Sequence, residues 1–549
     1  VRALRAQCDP ARYAAHYRGL LYSCKNLDLH QDEAVELLID GSRVRGVFTR
    51  HGSRYEARAV VLCSGTYLGG RVYVGEADFP SGPMGQMPAE RLLNSLKALG
   101  LRLGYMRTDT TPRLNLDTLD LSTAAPQRSE EEPLCFDIWG EKRVYRSDYA
   151  CWFSRTTERT HEILKRSIHR SPLVAGRLGI LGPRYCPSIE DKFLRFPDRR
   201  THPIVFEPVS ANSKEVYVQN FSTSLPYDVQ VEMVRSLPGC VEAKIIRPGY
   251  GIRYAYLTPD QLSPSLENRE LRGFFCAGQV NGTSGYEEAA AQGLLAGINA
   301  ALSARGEPPL VLSRSDGYLG VLADDLTTKS TDEPYRMLTS RCEHRLLMRY
   351  DNAARRLSPL AYRLGLLSPE RWAELERRWE HEDREVARLE SVRIVPSEET
   401  DRLCEAFGAE PPREPLTAAA FLRHRGATYP LVEKLVEKLI GEPDPHGLAL
   451  EPDSAFYVET SLRYAGYLEK EARLAEHMAG LDGVLVPEGF DYAAVKGLSS
   501  EGRQKLLRFR PRSLGAALRI SGVTPADIQL LSVVVRRMGG NSADRGGVV

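Results

Sequence analysis

Several common features are missing from this 549-residue sequence, and each absence narrows what the chain can be. No apolar run approaches the roughly 20 residues that a transmembrane helix needs, so we expect no membrane partner. The 10 cysteines form no C-x-x-C pair, which disfavours a zinc ribbon and a redox-active disulfide motif. There is also no H-E-x-x-H, and we predict no metal site. Scattered cysteines in a chain of this size fit a reducing cytoplasm.

The chain also lacks an excess of positive or negative charge. The formal net charge is +1, so the molecule as a whole gives no sign of a nucleic-acid partner, and any basic surface must be local. The length is enough for about three domains of ordinary size.

The order of apolar runs predicts the fold class. Residues 34–75 are rich in β-branched residues with glycine turns, and "AVVLCSG" (59–65) and "LRGFFCAGQV" (271–280) each predict a buried parallel strand ending in a glycine turn. Between them the pattern loosens, and after residue 313 it becomes helical. We therefore predict a discontinuous α/β nucleotide-binding domain (1–112 and 235–312), an inserted α+β domain (113–234) and an all-α domain (313–549).

"FFCAGQVNGTSGYEEAAAQG" (274–293) combines a strand end, a glycine-rich turn and an alanine-rich helix. Gly278 and Gly282 would let the backbone approach a ligand, and the start of the helix would offer unpaired N–H groups. Gln279 and Asn281 add neutral donors and acceptors. The alternative is a strand-to-helix turn that needs glycine only for its geometry.

"GPRYCPSIEDKFLRFPDRR" (182–200) surrounds Cys186 with basic residues. Cationic neighbours lower the pKa of a thiol and favour a nucleophile, and they also suit the phosphates of a nicotinamide cofactor. The alternative is a surface loop with ion pairs and a structural cysteine.

Two segments are locally basic. Residues 333–357 interleave arginines with aromatic residues, a pattern that suits contact with phosphates and stacking on bases, or else an arginine-rich helix that pairs with its own carboxylates. Residues 503–519 contain six basic residues and no acidic one. They lead into "RISGVTPADIQLL" (519–531), which is either a helix–hairpin–helix-like phosphate contact or a packing turn between helices.

Long motifs in this chain are similar to those of one family: "GPRYCPSIEDK", "RPGYGIRYAYLTP", "AGQVNGTSGYEEAAAQGLLAGINA", "YLGVLADDLTT" and "EPYRMLTSR". Together they resemble the glucose-inhibited division protein A family, from Val1 to the tail. The resemblance implies a Rossmann-type FAD domain, NADH as reductant and modification of the tRNA wobble uridine with a methylenetetrahydrofolate carbon. It also implies a homodimer whose helical C-terminal domain engages the GTPase MnmE in a heterotetramer-type complex.

The resemblance also assigns residues. The expected FAD contacts are Val35, Gln86, Gly278, Gln279, Gly282 and Gly285. The expected NADH contacts, with Cys186 as the catalytic candidate, are Gly182, Pro183, Arg184, Tyr185, Cys186, Pro187, Ser188, Ile189, Glu190, Asp191, Lys192, Phe193, Leu194, Arg195 and Phe196. The expected tRNA contacts are Arg336, Arg341, Arg345, Arg349, Arg508, Arg510 and Arg512.

The chain departs from the family pattern in three places. The family's leading strand, G-x-G-x-x-G turn and helix have no counterpart after Val1, so we expect the first βαβ unit to be missing and residues 1–549 alone not to bind FAD. The family's K-T-G-T-P-P-R appears as "RTDTTPR" (107–113), and a longer family loop is shortened to "SGPMGQMP" (81–88). The alternative functions are a small-molecule flavin oxidoreductase with a nicotinamide donor and a non-catalytic RNA-binding remnant.

Overall fold

The computed structural model describes residues 6–128, 135–140, 150–178, 182, 187–329, 333–440, 450–487 and 489–543. The chain divides into two compact units: Val1–Leu312 with Leu322–Met337, and Ser313–Val321 with Leu338–Val549. The first is a mixed α/β unit and the second is helical, as the sequence predicts. The finer domain boundaries within the first unit stay a prediction.

The first unit contains most of the strands. Its strands are β1 Ala34–Asp40, β2 Arg43–Thr49, β3 Arg54–Glu56, β4 Val60–Leu62, β5 Arg71–Val74, β6 Ala77–Pro80, β7 Leu103–Thr110, β8 Arg113–Asn115, β9 Ala125–Gln127, β10 Cys151–Arg155, β11 Pro203–Pro208, β12 Glu215–Gln219, β13 Ile245–Arg247, β14 Tyr250–Leu257 and β15 Phe274–Cys276. Its helices are α1 Pro10–Ser23, α2 Glu90–Ala98, α3 Glu158–Ser167, α4 Ile189–Arg195, α5 Tyr227–Arg235 and α6 Tyr286–Arg305. Helix α7, Tyr318–Lys329, has residues in both units.

The described residues of this unit contain four sheets. Strands β1, β2 and β3 form an antiparallel sheet, and its first hairpin turns at Gly41, whose φ of +57° favours glycine. A four-stranded sheet has the order β6-β5-β14-β7, and a six-stranded sheet has the order β13-β8-β12-β11-β10-β9. Strands β4 and β15 form a parallel pair. Two hydrophobic cores support these sheets, one centred on Phe206 and Leu164 and the other on Leu96 and Phe274.

One prediction about these strands is wrong in part. The sequence predicts that both parallel strands are buried on both faces, and β15 is fully buried. Strand β4, however, is only half-buried along its length. In the described part of the chain β4 pairs with β15 alone, so its other edge has no strand to cover it.

Among its described residues, the second unit contains helices and one short antiparallel strand pair, β16 with β17, with a helix between the two strands in sequence. The elements are α8 Ala353–Arg363, α9 Pro369–Ser391, β16 Arg393–Ile394, α10 Glu398–Ala406, β17 Leu416–Thr417, α11 Ala418–Phe421, α12 Tyr429–Ile440, α13 Pro452–Arg463, α14 Ala465–Asp482, α15 Ser500–Phe509, α16 Leu514–Arg519 and α17 Pro525–Ala543. Helix α9 confirms the predicted charged helix at 368–393: Ser368 caps it by accepting from the Arg371 N–H, and a proline follows the cap. Across the residues described, no helix could cross a membrane.

Candidate functional site

The parallel pair of β4 and β15 creates an edge where two strand ends meet. Leu62 lies opposite Cys276 at the carboxyl ends of the two strands. The residues that follow are therefore neighbours: Cys63–Gly65 after β4, and Ala277–Gly282 after β15. In open α/β sheets, ligands bind outside the carboxyl ends of parallel strands. We call these two segments, 63–65 and 277–282, the ligand edge.

Backbone geometry at the ligand edge requires glycine. Gly65, Gly278 and Gly282 have φ values of +53°, +85° and +76°. A Cβ atom on Gly65 would lie 3.9 Å from the Oε1 atom of Gln279 and 4.0 Å from the Cδ2 atom of Tyr67. The Gln279 side chain is half-buried and lies beside the Tyr254 hydroxyl. Gly278 and Gly282 are buried, whereas Gly65 and Gln279 are half-buried, so Gly65 and the Gln279 carboxamide are the more accessible of these groups. Contact of these residues with a ligand stays a prediction.

Gly285 has a different role. Its φ of 170° is ordinary extended backbone, so strain does not explain the glycine. A Cβ atom there would lie 1.9 Å from the Oε2 atom of Glu288 and 2.9 Å from the Nε atom of Arg336. Gly285 therefore makes room for an ion pair, and the structure gives no direct reason to count it as a ligand contact.

A buried glutamine that sequence reasoning missed holds the glycine turn in place. Gln292 on α6 accepts from the Gly278 N–H at 3.2 Å and from the Asn281 amide at 2.9 Å. Its own amide donates to the Thr283 hydroxyl at 3.0 Å, and that hydroxyl donates to the Gly278 carbonyl at 2.9 Å. The available signal was a polar residue in an otherwise alanine-rich stretch, "AAAQG". This hydrogen-bond network fixes the turn, and the Gln279 side chain takes no part in it.

Several polar atoms at or next to the ligand edge have no partner within the described residues. They are the Oγ atom of Ser64, the Oδ1 atom of Asn281 and the Oε2 atom of Glu288. A buried polar atom without a hydrogen bond costs about 1–3 kcal/mol. Because these three atoms are buried, a ligand at this edge would meet the half-buried Gly65 and the Gln279 carboxamide instead, and those two groups fit the polar edge of a ring system.

The other two predicted FAD contacts are less direct. Val35 lies in β1 and is 2% exposed, with its side chain in the hydrophobic core, so only its backbone could meet a ligand. Gln86 is exposed and accepts a hydrogen bond from the Tyr67 hydroxyl. The shortened loop is held by a second tyrosine, because the Met84 N–H donates to the Tyr250 hydroxyl at 3.0 Å. Both contacts stay predictions.

The predicted NADH segment divides into an inward and an outward part. Pro183, Arg184, Tyr185 and Cys186 lie outside the described residues, so the thiol hypothesis stays a prediction. Ser188 and Ile189 are buried, and Ser188 caps α4 by accepting from the Asp191 N–H at 3.1 Å. Pro187 and Phe193 are half-buried, and Lys192 donates to the Asn220 carbonyl at 2.6 Å. Leu194, Arg195 and Phe196 are exposed.

Glu190 and Asp191 belong to a buried ionic group. Arg107 on β7, 2% exposed, donates to Asp109 at 2.6 Å and to Asp191 at 3.0 Å. The Glu190 carboxylate accepts from the Thr223 hydroxyl and from the Ser224 N–H, both at 3.0 Å. We call Arg107, Asp109, Glu190 and Asp191 the Arg107 cluster. Its sequence signal was the departure "RTDTTPR" from the family pattern.

Burial changes the acidity of this cluster. Burial raises the pKa of Asp109 to about 7, although the Arg107 charge opposes the shift. Burial also raises the pKa of Glu190, against hydrogen bonds from Ser224 and Thr223 that lower it. Asp109 and Asp191 thus share one guanidinium, and Glu190 adds a third carboxyl group nearby, so Asp109 holds its proton to higher pH than an exposed aspartate does.

The first arginine-rich segment is not the helix that one alternative predicted. Residues 333–352 form turns and irregular backbone, and α8 begins only at Ala353. Arg336 lies in the first unit and donates to Glu288 at 3.1 Å. Arg349 lies in the second unit and pairs with Asp351 at 2.9 Å. Arg341 is half-buried at the end of a short 3₁₀ turn, and Arg345 is exposed.

The second basic segment is open. Arg508, Arg510 and Arg512 are exposed at the end of α15 and in the connection to α16. In the following turn, the Val523 N–H donates to the Ile520 carbonyl at 3.0 Å and the Thr524 N–H donates to Asp527 at 2.9 Å. These amides are used inside the bundle, which favours the packing alternative for this turn.

The acidic residue at this turn, Asp527, also takes part in packing between the helices. Burial raises the pKa of Asp527, but hydrogen bonds from Ser499 and Thr524 outweigh it and lower the value to about 2. Asp527 therefore stays ionised and joins the starts of α15 and α17. Across the described part of the chain, no group of three or more His, Cys, Asp or Glu residues could hold a metal ion.

Comparisons with known proteins agree along the whole chain. The family described as "Glucose inhibited division protein A" matches residues 1–308. The "tRNA modifying enzyme MnmG/GidA C-terminal helical domain" matches 369–472, and the "C-terminal helical bundle" of the same enzyme matches 475–546.

Individual relatives and solved structures point the same way. The "tRNA uridine 5-carboxymethylaminomethyl modification enzyme MnmG" of Heliobacterium modesticaldum is 45% identical over 100% of this chain and 85% of its own length. The protein of that name from Bacillus subtilis is 42% identical over 98% and 84%. The form II crystal structure of Aquifex aeolicus GidA superposes with a TM-score of 0.85 at 36% identity, covering 96% of this chain and 83% of that one. This chain therefore belongs to the glucose-inhibited division protein A (GidA/MnmG) family.

Proposed function

We propose that this chain is an enzyme that introduces the 5-carboxymethylaminomethyl group at the wobble uridine of tRNA. The observation that carries the proposal is its 45% identity, over its whole length, to an enzyme named for that reaction. The ligand edge supports it, because the half-buried Gly65 and the Gln279 carboxamide suit a ring-bearing cofactor. The substrate tRNA implies a cytoplasmic reaction.

The cofactor roles are assigned on the same basis. FAD would lie at the ligand edge of a Rossmann-type domain, with its ring against Gly65, Gly278 and Gln279. FAD, when bound, would supply redox and one-carbon-transfer chemistry, with NADH as the proposed reductant and methylenetetrahydrofolate as the proposed carbon donor. In this chain, Gln292 keeps the Gly278 turn rigid and Gln279 offers a carboxamide for hydrogen bonds to the ring. NADH would contact the segment from Gly182 to Phe196.

The remaining roles concern macromolecules. The exposed Arg345, Arg508, Arg510 and Arg512 suit contact with tRNA phosphates, because arginine forms charge-assisted, two-pronged hydrogen bonds to them. Arg336 and Arg349 already pair with carboxylates, so any contribution from them to tRNA binding would be indirect. The GTPase MnmE and a second copy of this chain complete the proposed assembly, with the helical unit as the part that meets MnmE.

A glycine substitution tests the ligand edge. Gly65→Ala places a methyl group where the flavin is proposed to lie, and we expect about tenfold weaker flavin binding. Gly41→Ala is the matched control, because Gly41 has a similar φ of +57° and no atom within 4 Å of its Cβ position. The protein is expressed from its whole reading frame in a strain that lacks its own family member. Flavin absorbance and mass spectrometry of tRNA nucleosides are the measurements.

The outcomes separate the parts of the proposal. No modified uridine with the parent protein would overturn the function. An equal loss of flavin in both variants would show that strain, and not the ligand edge, causes the effect.

A further inference from the structure

Three arginines lie side by side on one face of the four-stranded sheet of the first unit. Arg253 on β14 lies opposite Arg71 on β5 and opposite Arg107 on β7. Residues directly opposite in neighbouring strands place their side chains on the same face, and like charges there repel each other. Arg71 pairs with Asp78, and Arg107 pairs with two aspartates. Arg253 differs from both, because it pairs with no carboxylate in the part of the chain that the structure describes.

Aromatic rings lie where a carboxylate partner of Arg253 would be expected. The guanidinium carbon lies 5.1 Å from the centre of the Tyr105 ring and 6.0 Å from the centre of the Tyr73 ring. An aromatic face attracts a cation, but it does not replace the oxygen acceptors that the guanidinium N–H groups need. Arg253 is half-buried, and its buried Nε atom has no hydrogen-bond partner among the described residues. Its charge is therefore held in place without an anionic partner.

A second cation reaches the same ring from α2. The Lys97 ammonium lies 5.9 Å from the centre of the Tyr105 ring and donates to the Tyr105 hydroxyl at 3.3 Å. Lys97 is exposed and, like Arg253, it pairs with no described carboxylate. We call Lys97, Tyr105 and Arg253 the Tyr105 cluster. It gathers two positive charges around one ring, although the net charge of the chain is only +1.

We propose that the Tyr105 cluster binds a backbone phosphate of the substrate tRNA, as a contact on the first unit in addition to the arginines of the second. The identity of the RNA rests on the proposed function. The target uridine has to reach the ligand edge, which also lies in the first unit, so phosphates of the same RNA must pass over this unit. A phosphate oxygen would give Arg253 the acceptor it lacks and would reduce its repulsion with Arg71.

Removal of the two charges tests this proposal. In the whole protein, Lys97→Gln together with Arg253→Gln should weaken tRNA binding by about three- to tenfold and make the slope of log affinity against log salt shallower by up to about 2. Arg45→Gln together with Lys214→Gln is the matched control, because it removes the same charges from exposed residues that each pair with an aspartate. The control should bind tRNA as the parent does. Filter binding over a salt series measures both properties.

Lys97→Gln alone separates binding from folding. Lys97 is exposed, so this variant should unfold in urea as the parent does, while its salt slope becomes shallower by about 1. Acetylation of lysines, followed by mass spectrometry of peptides, then locates the contact in the parent. Saturating tRNA should slow acetylation of Lys97 by about threefold or more, because its ammonium is then paired, and should leave Lys214 unchanged. Inorganic phosphate and poly-glutamate are the comparison anions.

Failure of this inference can be told apart from failure of the proposed function. If the parent protein binds no tRNA, the proposed function fails and this inference fails with it. If the parent binds and modifies tRNA but both variants of the Tyr105 cluster keep its affinity and salt slope, only this inference is overturned. An equal loss in the control variant would show a general effect of charge and would also overturn it. If inorganic phosphate or poly-glutamate protects Lys97 and tRNA does not, the cluster takes another anion and the assignment to tRNA is wrong.

Discussion

The two arginine-rich segments look alike in sequence and differ in structure. In the segment that contains Arg336 and Arg349, both guanidiniums pair with carboxylates whose side chains are 3% and 4% exposed, Glu288 and Asp351. In the segment from Arg508 to Arg512, the three arginines are exposed. Arginine therefore pairs with buried carboxylates in the first segment and lies exposed to solvent in the second.

The comparison indicates that partner carboxylates, and not the density of arginine, determine whether a basic segment forms internal ion pairs or is open to an anionic partner. A guanidinium held by a buried carboxylate is not free to contact a phosphate, and its removal leaves an uncompensated charge. An exposed guanidinium contributes little to stability and is open to an anionic partner. Substitution of arginines in each segment tests this distinction.

The largest effect is expected from Arg349→Ala. Arg349 donates to both oxygens of Asp351, at 3.0 and 2.9 Å, and to the Leu346 carbonyl at 2.9 Å. Its removal leaves the buried Asp351 without these hydrogen bonds and with only the more distant Arg356 charge, so we expect a loss of about 3 kcal/mol in the free energy of unfolding. Urea unfolding of the whole protein measures it.

A matched control shows whether the buried partner is the cause. Arg402 in α10 pairs with Glu398, and their side chains are 77% and 91% exposed. Arg402→Ala should stay within about 0.5 kcal/mol of the parent. A stable Arg349→Ala protein with weakened tRNA binding would contradict the comparison, since Arg349 would then act on RNA directly.

A smaller effect is expected from the exposed arginines between residues 508 and 512, and it concerns tRNA affinity instead of the free energy of unfolding. Replacing Arg508, Arg510 and Arg512 together by glutamine removes three exposed charges, so tRNA affinity should fall by about tenfold. The slope of log affinity against log salt should become shallower by up to about 3. Filter binding over a salt series measures both, and urea unfolding should match the parent. An unchanged salt slope would remove this segment from the tRNA surface.

The sequence was sufficient for the architecture because the signals were periodic and local. The helix at Pro369–Ser391 follows from its cap and its apolar stripe, and the parallel pair of β4 and β15 follows from two apolar runs that end in glycine. The motif "AGQVNGTSGYEEAAAQG" predicts the glycine turn after β15, and the ligand at that turn stays a prediction. None of these predictions required knowledge of which side chains meet.

The partners of the polar residues could not be predicted in this way. Glu288 and Arg336 are 48 residues apart, and Arg107 and Asp191 are 84 apart, so only the fold brings them together. Gln292 holds the Gly278 turn from α6, across 14 residues. Periodicity tells which face of an element is buried, but it gives no information on which distant polar group lies opposite.

The smallest effect is expected from Arg345, which lies in the first segment but resembles the second in being exposed. If exposure decides the role, Arg345→Gln should weaken tRNA binding by about two- to threefold and leave the free energy of unfolding unchanged, because a single phosphate contact is lost. The salt slope should fall by about 1. Pairing this variant with Arg349→Ala in the same binding and unfolding assays gives two arginines, four positions apart, that separate the two properties. A loss of stability in Arg345→Gln with full tRNA affinity would reverse the assignment and show that exposure alone does not identify the arginines that contact RNA.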